Sequence, residues 1–152
     1  MDEHRIYKAI GNLIDILGES YLDRNGASKY SDVFFPVQRF VGIYFGACWA
    51  APCQEFDPML VEFYNKVNQV NKQIEIIYVS SDEDASQFNA MLSKFPFLSI
   101  PYNDARLMEL KAMYAITAVP VLVIIRKDGT VVTTNGRNDI YQFEEDAIDH
   151  WE

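Results

Sequence analysis

The residues with the most chemistry in them lie side by side, in Gly46-Ala47-Cys48-Trp49-Ala50-Ala51-Pro52-Cys53. Both cysteines of the chain are here. The octet falls between an apolar run that reads as a strand and a longer pattern that reads as a helix. A thiol at a helix N-terminus has its thiolate stabilised by the helix dipole and by backbone N–H groups that lack a partner inside the helix. With two thiols in Cys-X-X-Cys spacing, the first attacks a disulfide and the second, one turn further in, resolves the mixed disulfide. This sequence has the second thiol, Cys53. Three residues before it, where the first belongs, stands Ala50. Without a partner sulfur, Cys53 reads as a buried small hydrophobe. Cys48 lies on the strand side of Trp49 and is expected to be a neutral packing residue, not bridged to Cys53. A disulfide needs Cα atoms within about 7 Å and converging Cβ vectors, and Trp49 and Pro52 intervene. A zinc site completed by His4 and His150 is disfavoured, because histidines at opposite chain ends do not give the usual ligand spacing.

The elements that must position this octet follow from periodicity. Phe40 to Phe45 is apolar on both faces, as in a central parallel strand. After Pro52, whose missing N–H costs little in a first turn, Phe56, Met59, Leu60, Phe63, Tyr64 and Val67 recur at helical spacing. Pro58 inside this pattern is expected to kink it. Ile74 to Ser80 reads as a second buried strand. Ser81-Asp82-Glu83-Asp84 is a turn and helix start, with acids at the positive end of the dipole. Gln87 to Lys94 is a short helix, Phe97 to Tyr102 a short extended piece, and Leu107, Leu110, Met113 and Tyr114 mark another helix. Val121 to Ile125 is a strand, and Asp128-Gly129 supplies the tight turn of a hairpin that returns through Val131 to Thr134. Asn135-Gly136 turns again, and Gln142 to Trp151 reads as a terminal acidic helix with Phe143, Ala147, Ile148 and Trp151 on one side. At the start, Ile6, Ile10, Leu13, Ile14 and Leu17 mark a helix stopped by Gly18. Asp23 to Asp32 reads as a polar loop. A βαβ unit followed by a hairpin makes an α/β fold, a central mixed sheet with helices on both faces.

The chain has 152 residues, 49% of them apolar and 23% charged, ordinary values for a single globular domain. Lys plus Arg is 13 and Asp plus Glu 22, a net charge of −9. Such a chain is repelled by phosphate backbones and anionic lipid, so neither nucleic acid nor membrane is expected as a partner. The first residues lack the pattern of a secretory signal, and no apolar run approaches the roughly 18 residues of a membrane helix. The expected compartment is the cytoplasm, where thiols stay reduced. No Gly-rich phosphate loop follows a strand, so no cofactor is expected.

In this order and spacing the pieces resemble the thioredoxin superfamily, in its tryparedoxin and nucleoredoxin branch, whose motif is Trp-Cys-Pro-Pro-Cys after an apolar strand. Ile43 to Ala47 precedes Trp49. Phe56-Asp57-Pro58 and Leu60 to Tyr64 resemble the branch's kinked helix, Val79 to Glu83 the end of its next strand, and Phe97 to Tyr102 a segment that plain thioredoxins lack. Tyr114 to Pro120 followed by Val121 to Ile124 resembles the cis-proline strand. Lys127 to Thr130 and Asn135-Gly136-Arg137 complete the match, which covers about residues 16–151 of a single thioredoxin-like domain, 1–152, with 1–17 as an N-terminal helical extension. The resemblance implies a thiol–disulfide oxidoreductase, a monomer acting on a disulfide-containing protein or a small dithiol. Ala50 occupies the nucleophile position, where cysteine is expected, and Cys53 that of the resolving thiol. Trp49, Pro52, Val119, Pro120, Glu83 and Arg137 fall on the substrate side, with the Val119–Pro120 bond cis and the Val119 backbone free to pair with an extended substrate. The departure at Ala50 has two readings. The chain has been changed from cysteine at one position, which restores a complete motif, or it is a redox-inactive module on the same fold. Either way, no catalysis is expected of the chain as written.

Overall fold

The computed structural model describes residues 3–152, apart from the side chains of Ile6, Tyr7 and Ile10; the expected packing of Ile6 and Ile10 lies outside what is described. The strands are β1 (Ser20–Leu22), β2 (Ser28–Tyr30), β3 (Phe40–Gly46), β4 (Ile74–Ser80), β5 (Leu98–Ser99), β6 (Val121–Arg126) and β7 (Val131–Thr133). The helices are α1 (Glu3–Leu17), α2 (Ala51–Val67), α3 (Ala85–Lys94), α4 (Arg106–Met113), α5 (Gly136–Phe143) and α6 (Ala147–His150). One mixed sheet runs in the order β2-β1-β5-β4-β3-β6-β7. β3 pairs parallel with β4, and antiparallel with β6.

Every residue of β3 and β4 is buried, because helices cover both faces. Alternate side chains separate cleanly. Phe40, Tyr44, Ile76, Tyr78, Leu122 and Ile124 face a core closed by α2, α3, α5 and α6. Val41, Ile43, Phe45, Ile77, Val79, Val123 and Ile125 face a second core closed by Leu13 and Leu17 of α1 and Leu110 of α4. α2 keeps the expected stripe, with Phe56, Leu60, Phe63 and Tyr64 buried, and continues through Pro58 as one helix. The α/β architecture with a mixed sheet flanked on both faces is therefore as expected.

Two local expectations are corrected. The polar stretch from Asp23 to Asp32 is not all loop. β1 and β2 pair across it, Tyr21 opposite Lys29, and a 3-10 turn follows at Ser31–Phe34. The Asp23 carboxylate closes the turn by accepting from the backbone N–H groups of Asn25 and Ala27. The terminal acidic helix is also misplaced. α5 begins at Gly136, where a turn was expected, and ends at Phe143. Glu144 has φ 51°, a left-handed value that stops an α-helix. The acids Glu144, Glu145 and Asp146 then form a 3-10 turn ahead of the short α6. Gly136 is buried because α5 crosses β6 closely: a Cβ there would stand 2.9 Å from the Leu122 carbonyl oxygen.

Candidate active site

β3 delivers the chain to the C-terminal edge of the sheet, and α2 begins five residues later. Ala50 is the N-cap of α2, in extended conformation with φ −88° and ψ 118°, and offers no side-chain cap. Its carbonyl accepts from the N–H groups of Cys53 and Gln54, at 3.0 and 3.1 Å. Pro52, in the first turn, has no N–H to satisfy. A thiolate on residue 50 would thus meet the positive end of α2 at its first turn. Ala50 is only 7% exposed. The small side chain tucks in, while Trp49 before it is 53% exposed.

Cys53 is fully buried. Both thiols are free. Burial is the main influence on the Cys53 thiol and pushes its pKa up. The Ala47 backbone, the Tyr44 hydroxyl and Arg137 oppose this, and Asp57 adds to it. The Tyr44 hydroxyl donates to Oδ1 of Asp57. The Asp57 carboxyl is itself pushed up to about 6, first by burial and further by Asp82, against the Tyr44 hydrogen bond and Lys94. Tyr44 and Asp57 are the site residues that the sequence reading did not single out. An aromatic residue in a strand buried on both faces looks like core. The signal lay in the spacing: an acid one turn after Cys53 falls on the same side of the helix.

A second carboxylate fixes the loop between β3 and α2. Asp82 accepts from the Cys48 backbone N–H at 2.6 Å, from the Tyr78 hydroxyl at 2.9 Å and from the Ser80 hydroxyl at 2.6 Å. Trp49 is anchored on the same side by its indole N–H, which donates to the Ser81 carbonyl at 2.9 Å. Cys48 is half-buried and packs against the core under α2. Its thiol is raised by burial and then by the neighbouring Asp82, which suits a neutral packing residue better than a nucleophile.

The register brings the next piece beside this loop. Val121 pairs with Phe45, so Pro120 and Val119 run on past the end of the sheet toward Ala47 and Cys48. The Val119–Pro120 bond is cis, and Pro120 is buried. Trp49, Ser81, Lys111, Ile116, Thr117 and Val119 share in lining a shallow pocket of about 170 Å³. Of the residues expected on the substrate side, the structure therefore joins Trp49 and Val119 in one pocket, with Pro120 adjoining. Pro52 is exposed at the start of α2. Arg137 stands on the Cys53 side, its guanidinium 5.7 Å from the Tyr141 ring centre. Glu83 is exposed at the start of the turn before α3, near Cys48 and outside the pocket.

Residues 38–131 match a family described as thioredoxin-like. Nucleoredoxin of Danio rerio is 34% identical over 113 residues, 74% of this chain and 27% of the relative. The chain thus spans about a quarter of the length of the vertebrate nucleoredoxins it matches, 24% for that of Mus musculus. Tryparedoxin from Trypanosoma brucei superimposes with a TM-score of 0.81 at 28% identity, covering 92% of this chain and 97% of that one. A tryparedoxin II solved in complex with glutathionylspermidine has a TM-score of 0.79 at 26% identity, over 89% of this chain and 94% of that one.

Proposed function

The chain belongs to the thioredoxin-like family, in its nucleoredoxin and tryparedoxin branch, and from that premise we propose that it is the framework of a disulfide reductase whose attacking sulfur is absent. The observation that carries the reading is the pairing of Ala50 at the N-cap of α2 with Cys53 one turn inside it. Position 50 is the nucleophile position, Cys53 the resolving thiol, and the domain occupies residues 1–152 with 1–17 as an extension. In the full reaction a thiolate at position 50 attacks the substrate disulfide and one substrate thiolate leaves. Cys53 then attacks the sulfur at position 50, releasing the second substrate thiol and leaving a disulfide between positions 50 and 53. A dithiol reductant restores the pair. Alanine cannot perform the first attack, and Cys53 is buried with a raised thiol, so the chain as written does not turn over.

The substrate reading rests on the pocket between Trp49 and Val119. Among the described residues none hydrogen-bonds the Val119 backbone across the loop, leaving it free for an extended peptide or a small dithiol. Glutathionylspermidine is the ligand of the tryparedoxin II complex; a disulfide carrying a cation is the corresponding proposal here, with Glu83 and Arg137 flanking it and Pro52 at the helix start. No helix of the described residues is long and apolar enough to cross a membrane. A monomer in the cytoplasm, needing no cofactor, completes the proposal. A second reading, a redox-inactive module that holds partners in the same pocket, is favoured by Ala50 itself. An insulin-reduction assay with a dithiol reductant decides between them: the Ala50→Cys chain turns over and the chain as written does not. Absence of turnover in the Ala50→Cys chain overturns the enzyme reading and leaves the module.

A further inference from the structure

The shallow pocket beside Trp49 contains a single charge. Trp49, Ser81 and residues 116–119 line it, and among the described residues the one ionised side chain in its lining is Lys111 of α4. The chain holds Lys111 to the substrate loop. Leu110 anchors α4 in the core, which leaves Lys111 in the last turn. The Lys111 carbonyl accepts from the Ile116 N–H at 2.8 Å, and Ala115 between them takes a left-handed φ of 55°. The closed turn therefore carries Lys111 with the segment that runs on into Val119.

This cation has no counterpart inside the molecule. Lys111 is half-buried, and among the described residues it forms no salt bridge. The acids at the end of β4 are engaged elsewhere. Asp82 accepts from three donors, Asp84 caps α3, and Glu83 is exposed outside the pocket. The Ser81 hydroxyl is buried without a hydrogen-bond partner, a second unused donor in the residue that anchors the Trp49 indole. A half-buried ammonium beside Trp49, Ile116 and Val119 has lost part of its hydration, and an anion restores what was lost.

We propose that this pocket selects disulfides that carry a carboxylate close to their sulfurs, and that Lys111 is the residue that recognises it. The inference rests on the reading of the Trp49–Val119 pocket as the substrate side, and it narrows the substrate to a zwitterion. The carboxylate enters the pocket toward Lys111, and the cation stays outside, toward Glu83. The volume of about 170 Å³ is below that of sites that enclose a drug-sized ligand and suits a carboxylate on a short stem. A single anion is also what the charge balance allows. A chain of net charge −9 repels a polyanion as a whole, while one carboxylate is held by a charge-assisted hydrogen bond. Lys111 binds substrate and takes no part in the exchange of sulfurs.

Small disulfides that differ mainly in charge test this: dithiodipropionate, cystamine and the neutral hydroxyethyl disulfide. In the Ala50→Cys chain, the quantity read is the ratio of kcat/KM for dithiodipropionate to that for hydroxyethyl disulfide. Lys111→Met is expected to lower this ratio about tenfold, the reach of one charge-assisted hydrogen bond. Lys111→Arg keeps most of the ratio, and Lys111→Glu turns the preference toward cystamine. A ratio that Lys111→Met leaves unmoved overturns the assignment. Added salt lowers the same ratio without any change at Lys111; should the Lys111→Met chain not fold, a ratio insensitive to salt overturns it instead. If the Ala50→Cys chain reduces none of these disulfides, the oxidoreductase reading falls, and the pocket is still measured in the chain as written. There the NMR shift of the Trp49 indole N–H gives the dissociation constants. Dithiodipropionate is expected to bind about tenfold more tightly than hydroxyethyl disulfide, and to lose that advantage in Lys111→Met. Equal affinities in the chain as written overturn the assignment there too.

Discussion

Ala50 stands where one side chain would serve both the helix and the chemistry, and substitutions can pull these roles apart. Serine is a preferred N-cap, because its hydroxyl accepts from an otherwise unpaired N–H of the first turn. Ala50→Ser is therefore expected to raise unfolding free energy by about 1 kcal/mol in urea titrations, with no disulfide reduction. Ala50→Cys is expected to switch reduction on. Activity in the serine chain would show that the cap and not the sulfur limits the site. Cys48 is a useful control. Burial and Asp82 hold its thiol up, so its alkylation is expected to be slow at neutral pH and to rise steeply in alkali. Asp82→Asn should shift that rise to lower pH, as followed by mass spectrometry of the alkylated chain. Cys53, Trp49 and the gap at Ala50 were all legible in the sequence, because their types and spacing carry the chemistry. Tyr44 and Asp57 were not. They meet in a hydrogen bond between side chains on two different elements, and nothing in either element's own period announces it.

At the scale of elements, legibility followed length and burial. β3 and β4 are seven residues each and buried on both faces, so their apolar runs could be read directly. β1 and β2 are three residues each, with Tyr21 their one buried side chain, too short to show a period. The end of the chain misled for another reason. Glycine after asparagine is a turn signal by type, yet Gly136 is there because α5 lies against the Leu122 carbonyl. Gly136→Ala is thus expected to destabilise by about 1–3 kcal/mol, although alanine is the better helix former. A stabilised chain in thermal melts would show that α5 can shift outward. The start of α3 behaves conventionally. Asp84 caps it by accepting from the Gln87 N–H at 2.8 Å, and Asp84→Ala should lose about 1 kcal/mol.

For the molecule as a whole, the raised Asp57 carboxyl has an effect on stability with a definite sign. Asp57 titrates near 6 in the folded chain and near 3.9 when unfolded. The folded state holds this proton more tightly, so the contribution of Asp57 to stability is full below pH ~3.9 and is lost as the pH rises toward 6. Asp104 and Asp128 are lowered by Arg106 and Thr130 respectively and act in the opposite direction. The difference between the chain and Asp57→Asn isolates the Asp57 contribution: urea midpoints of the two should diverge across this window and run parallel above it. The rim of the sheet has a consequence of a different kind. Ser28, Lys29 and Tyr30 of the outermost strand are all exposed, and that strand ends after three residues with a lysine at its centre. Brevity and a charge are how sheets avoid recruiting a neighbour's strand. Crowded solutions of this chain should therefore stay clear, and Lys29→Val should make them scatter light as copies join rim to rim.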